Sequence, residues 1–259
     1  MCQNIGMKLH IYIIGIFLFC CSLQLQATEI QIAAASNLRY ALSKLITEFD
    51  KQTGYQVNVS YAASGTLTTQ IQHGAPFEIF LSADPHYIEL LRKDELTEGK
   101  IIDFAQALMV LFASAHSSLN IDANLKGLKS SLERGELNKV AIANPKHAPY
   151  GQVAQHILET AGIWQQIQSR LLIAENASQV IQFALTSQVD AGFVPYSYML
   201  QPQISSKGRY IKLDITLPQQ AVLIKGASDS AKQFLAFIQT DSAKEIFRTE
   251  GFIVQEKAS

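Results

Sequence analysis

The chain is 259 residues long, 28.6 kDa, with 48% hydrophobic and 17% charged residues, enough apolar material for a large core and the wrong composition for a disordered tail. Its formal net charge is −1, from Lys+Arg 21 against Asp+Glu 22, so there is no basic field to collect a phosphodiester backbone, and no nucleic-acid partner is expected. That length fits one large domain or two of ordinary size.

In chain order, Lys8 leads into the apolar run Leu9–Cys21, followed by polar and small residues up to Ala27. This reads as a secretory signal peptide spanning 1–27, with Leu25 and Ala27 at the −3 and −1 positions of the cut. The run falls short of the roughly 20 residues that a spanning helix needs, and no later segment approaches that length. A retained anchor is the alternative. Lipidation at Cys20 or Cys21 is a poorer one, because bulky Phe19 or Cys20 stands where a small residue should precede the modified cysteine. All three cysteines, Cys2, Cys20 and Cys21, lie in this segment, so no disulfide is expected in the mature chain.

Beyond Ala27, strands are predicted at Glu29–Ala35, Tyr55–Tyr61, Glu78–Ser82, Ala107–Ala113, Lys139–Ala143, Val189–Val194, Arg209–Ile215 and Ala221–Lys225. Between them helical spacing recurs at Leu38, Leu42, Leu45, Ile46 and Phe49, at Val153, Ala154, Ile157, Leu158 and Ala161, and at Ala231, Phe234, Leu235, Phe237 and Ile238. Alternation of this kind predicts an α/β fold with mainly parallel sheets. No Gly/Ser/Pro linker marks a boundary, so two lobes would be joined by ordered crossings, with Ile101–Met109 and Leu217–Leu223 as the candidates. The expected division is 28–106, with 220–259 returning to it, and 107–219, enclosing a cleft whose closure depends on two hinges.

Several chemistries lack their signatures. The six histidines include no His-Glu-x-x-His pair and none is paired with cysteine, so no protein-built metal site is expected. No Gly-x-Ser-x-Gly elbow, Walker loop or Gly-x-Gly-x-x-Gly follows a strand. Ser64 before Gly65, or Ser36, leaves a secreted serine hydrolase as an open alternative.

What remains lies at the strand ends. The first strand runs into Ser36-Asn37 and the second into Ser64-Gly65-Thr66. In the second half, Asn144 to Gln152 and Glu175-Asn176-Ala177-Ser178 each open a helix. Taken singly, each turn reads as ordinary capping. Four together, two from each lobe, would gather outside the C-terminal strand ends, where α/β lobes bind ligands, and four helix starts favour an anion. No Arg or Lys lies within Ala33–Asn37, Ala62–Thr66 or Asn176–Ser178. A dianion there would be held by neutral donors that replace its hydration shell, so the site would bind its ligand without transforming it.

These residues resemble a known family across nearly the whole mature chain: the periplasmic molybdate-binding proteins that serve ABC importers, within the type II periplasmic binding proteins. The matching stretches are Ala33-Ala34-Ala35-Ser36-Asn37-Leu38, Tyr61-Ala62-Ala63-Ser64-Gly65-Thr66-Leu67, Gly74 to Asp84, Asn144-Pro145-x-x-x-Pro149-Tyr150-Gly151 and Gly192-Phe193-Val194-Pro195-Tyr196-Ser197. The resemblance implies two doubly wound α/β lobes joined by hinge segments, a molybdate or tungstate ligand and no cofactor. It also implies a membrane permease as partner, a periplasmic location, a monomer, and transport without catalysis. By position, Ser36 and Ser64 would donate hydroxyls, Tyr150 and Ala177 backbone N–H groups, and Asn37 a further donor. Many relatives place a ligand-binding tyrosine where this chain has Pro195. Either Asn37 compensates, which is the expectation, or Tyr196 reaches in, and Tyr196 and Tyr198 otherwise read as packing residues. Asp84 is expected to cap the helix after Pro85. Sulfate, phosphate, or a ferric ion held by Tyr196 and Tyr198 remain alternative ligands.

Overall fold

The computed structural model describes residues 29–254, so the expected signal peptide and its cut at Ala27 lie outside the described residues. Eight strands form one sheet: β1 (Ile30–Ala35), β2 (Val57–Ala62), β3 (Ile79–Ser82), β4 (Thr97–Ser114), β5 (Val140–Ala143), β6 (Leu171–Ala174), β7 (Ala191–Pro195) and β8 (Gly208–Ile224), in the order β2-β1-β3-β8-β4-β7-β5-β6. Helices cover both faces, and β3, β5 and β7 are buried at every position. Their sequences are accordingly apolar apart from Ser82 at the end of β3. β2, at one edge, alternates half-buried and exposed positions.

The fold is α/β, as the alternation predicts, but the sheet is mixed. β1 runs parallel to β2 and β3, and β5 runs parallel to β6 and β7. The β3–β8, β4–β8 and β4–β7 pairs are antiparallel. Strand-helix-strand crossovers build the two parallel ends, whereas β4 and β8 traverse the middle of the sheet as paired return strands. The crossings expected at Ile101–Met109 and Leu217–Leu223 fall inside them. Arg209–Ile215 and Ala221–Lys225 are stretches of the single strand β8; Pro218, paired with Gln106, makes one strand read as two. Strand β6, four residues long, was not among the predicted strands.

The helix Arg39–Thr53 turns Ala41, Leu42, Leu45 and Phe49 inward and ends at Gly54, whose φ of 73° permits the left-handed cap. Phe49 meets Phe234 edge to face at 5.0 Å and Phe237 at 5.4 Å, which fastens the late helix Asp229–Phe237 onto the β1 end of the sheet. Fully buried side chains such as these stabilise by roughly 1.5–3 kcal/mol each. The chain then returns to the middle of the sheet, where Gln106 and Ile253 exchange both backbone hydrogen bonds.

Candidate functional site

After β1 the backbone tightens into a 3-10 turn, Ser36–Leu38, before the helix Arg39–Thr53 begins. Ser36 and Asn37 are 3% and 1% exposed, and neither caps the helix through its side chain. Ser64 opens the helix Ser64–Gln72 and is completely buried; Ala63 is that helix's cap residue. The Ser64 hydroxyl oxygen accepts from Ala83 N–H at 3.1 Å, so its own proton is left to donate elsewhere. The capping reading therefore fails at Ser36, Asn37 and Ser64. It holds at Asn176, whose side-chain oxygen takes the N–H groups of Ser178 and Gln179 at 2.9 and 3.2 Å. Asp84 caps its helix as expected, accepting from His86 N–H at 2.8 Å.

Tyr150 is the second residue of the helix Pro149–Thr160. Proline suits that first position because its missing N–H would be unpaired there anyway. Gly151 lets the helix start press against β5: a Cβ at Gly151 would stand 2.2 Å from the Ala143 carbonyl oxygen. Ala177 begins the helix Ala177–Ala184.

These elements bring Ser36, Asn37, Ser64, Tyr150 and Ala177 around one small cavity, completed by Ala35, Ala62, Ala63, Ala83, Ala148 and Pro149. Among the described residues, no Asp, Glu, Lys, Arg or His lines it. Three helices start at its wall, each with unpaired N–H groups and about half a unit of positive partial charge. Small alanine side chains let the backbone donors approach closely. The arrangement is a neutral, donor-rich pocket for a compact anion.

Hydrogen bonds tie the turns of the two sheet ends together. Gly65 N–H donates to His147 O at 2.9 Å, Gln152 Nε2 to Tyr87 Oη at 3.1 Å, and Ser197 Oγ to Asn37 O at 3.1 Å. Tyr198 Oη donates to Ser36 O at 3.0 Å and also meets the Ser178 hydroxyl. Its one proton being committed to Ser36, Ser178 must be the donor in the second contact. Burial pushes the Tyr198 hydroxyl up to about 12 and drives that of Tyr150 higher still, so both stay neutral at physiological pH.

Three residues modify the expectations from sequence. Tyr198 is more than a packing residue, because its hydroxyl bridges the two ends of the sheet beside the cavity. Tyr196 does pack: its ring lies 3.9 Å from the Lys212 ammonium and 6.0 Å from Tyr210, away from the cavity lining. Asn37 lines the cavity, but Nδ2 already gives one hydrogen to Gln219 Oε1 at 2.9 Å. Its Oδ1 and the Tyr150 hydroxyl are buried without partners. Gln219, Tyr198 and Arg39, whose guanidinium sits 4.2 Å from the Tyr61 ring centre, carried no local signal in the sequence. Ala83 did lie in a quoted motif, but its service to Ser64 depends on backbone placement.

A family model described as bacterial extracellular solute-binding protein matches residues 30–253. The chain is 34% identical over 236 residues to the molybdate-binding protein ModA of Rhodobacter capsulatus, covering 88% of this chain and 90% of that one. With ModA of Azotobacter vinelandii the identity is 30% over 237 residues, covering 89% and 92%. The solved structure of the Azotobacter vinelandii periplasmic molybdate-binding protein superimposes with a TM-score of 0.79 at 28% identity, over 88% of this chain and all of that one. The chain belongs to the bacterial extracellular solute-binding proteins, in the branch that holds the ModA molybdate-binding proteins.

Proposed function

We propose that this protein captures molybdate, and tungstate with it, in the periplasm and hands it to the membrane permease of an ABC importer. The observation that carries the reading is the uncharged cavity itself, where Ser36, Asn37, Ser64, Tyr150 and Ala177 meet. Ser36 and Ser64 would donate hydroxyls, Tyr150 and Ala177 backbone N–H groups, and Asn37 the second hydrogen of its amide. Such fixed donors replace the water around a dianion with little reorganisation.

The lobes would comprise 28–106 with 220–259, and 107–219, so that β4 and β8 are the segments that flex. An anion touching both lobes stabilises their closed arrangement, and that arrangement is what a permease would distinguish from the open one. The protein would act as a monomer, exported by its signal peptide, with no catalytic step. Ser64 hydrogen-bonds to the Ala83 backbone, while His147 meets Thr66 at 3.4 Å, so among the described residues the serine of the hydrolase alternative has no histidine partner. A ferric ion would need tyrosinate oxygens, whereas the Tyr198 hydroxyl is engaged by Ser36 O and Ser178 and Tyr196 lies away from the cavity lining.

A thermal-shift series with molybdate, tungstate, sulfate and phosphate tests the reading, since only ligands that prefer the native state raise the melting point. Molybdate and tungstate should raise it at micromolar concentration, and the other two should not. No shift with either metal oxyanion would end the proposal.

A further inference from the structure

We propose that Gln219 is a positioning residue: its side-chain carbonyl holds the Asn37 amide with a donor toward the anion and ties the cavity to the strand that traverses the sheet. This rests on the oxyanion reading above. Gln219 is completely buried in β8, where an unpaired carboxamide would be costly. Its Nε2 donates to Leu217 O at 2.9 Å, and a carbonyl can only accept. The orientation of the Gln219 amide is thereby fixed, with Oε1 toward Asn37. That oxygen accepts from Asn37 Nδ2 at 2.9 Å and fixes the second amide in turn.

The consequence is a choice of sign at the cavity. Held this way, Asn37 retains one N–H that is not given to Gln219, and its Oδ1 is buried without a hydrogen-bond partner among the described residues. Without Gln219 Oε1 the amide is free to turn over and present oxygen to a dianion, converting attraction into repulsion. The link also reaches one of the register shifts of the β4–β8 ladder. Gln220 pairs with Asp103 and Gln219 with Ala105, leaving Phe104 as an extra residue, and further register shifts flank this one. A bulge bends a strand pair locally, so Asn37 is fastened to one of the bends in the β4–β8 pair.

Titration calorimetry with sodium molybdate on the mature protein, Q219M, N37A and N37A/Q219M tests this, Met keeping the length of Gln without its hydrogen bonds. Q219M should bind about tenfold more weakly than the unaltered protein, the worth of one hydrogen bond to a charged group, and the change should add almost nothing in the N37A background. Affinity of Q219M within about twofold of the parent, or an equal Q219M loss with and without Asn37, would overturn it, the second result marking a packing role only. Should Q219M not fold, the side-chain amide of Asn37 in the unaltered protein decides by NMR. One of its hydrogens should resist exchange, and rapid exchange of both would defeat the proposal. Failure of the parent to bind molybdate would instead defeat the oxyanion reading, and the NMR result would still report on the Asn37 amide.

Discussion

In the proposed site, Ser64 would serve the fold and the ligand with one hydroxyl. Its oxygen receives the Ala83 N–H and its proton remains to be given. Ser64→Ala removes the donor and leaves a buried N–H without its acceptor, which costs about 1–3 kcal/mol. The variant should melt several degrees lower without ligand, at roughly 2–4 °C per kcal/mol for a chain of this size. It should also bind molybdate at least about tenfold more weakly. Calorimetry giving unchanged affinity would remove Ser64 from the site. The residues that sequence reasoning could find are those at a chain position with a meaning of its own: a hydroxyl just after a buried strand, or a helix start after Pro. Those it missed have meaning only through a distant partner, since Tyr198 acts 162 positions away on Ser36 and Gln219 acts 182 positions away on Asn37. No local pattern encodes such a pairing.

The helix Ser64–Gln72 must approach the other end of the sheet at its first turn. A Cβ on Gly65 would lie 2.8 Å from the His147 carbonyl oxygen and 2.8 Å from the Tyr87 ring. The His147 conflict exists only where the two ends meet, whereas the Tyr87 ring belongs to the same end as Gly65 and must shift in either arrangement. Gly65→Ala should therefore lower the ligand-free melting point only modestly while weakening molybdate binding. A ligand-free melting point that falls sharply would show that the contact belongs to folding and not to closure. Elements were legible where periodicity and burial agree, as in β1, β3 and β5, predominantly apolar and largely buried. Direction was not. The apolar runs Leu108–Ala113 and Ala221–Ile224 belong to strands that run antiparallel to their neighbours, and hydropathy carries no sign of strand direction.

At the scale of the molecule, the hydrogen bonds between the ends of the sheet include Gly65 to His147, Gln152 to Tyr87, Ser197 to Asn37 and Tyr198 to Ser36, and Tyr40 packs edge-on against Tyr198 beside them. Each hydrogen bond exchanges for water at little net gain, typically about 0.5–1.5 kcal/mol. In the proposed closure, an anion that contacts both ends adds to these hydrogen bonds and shifts the balance toward the closed arrangement. Cavity size then sets selectivity, because sulfate and molybdate share charge and shape and differ in radius; an anion too small to reach both walls closes nothing. Small-angle X-ray scattering should accordingly show the radius of gyration falling on addition of molybdate and staying unchanged with sulfate. Gly65→Ala should shrink less at saturating molybdate, since its methyl group stands in the path of approach. A radius of gyration that ignores molybdate, in a sample whose melting point responds to it, would mean that the two ends are already together before the anion arrives and that the permease reads something other than closure.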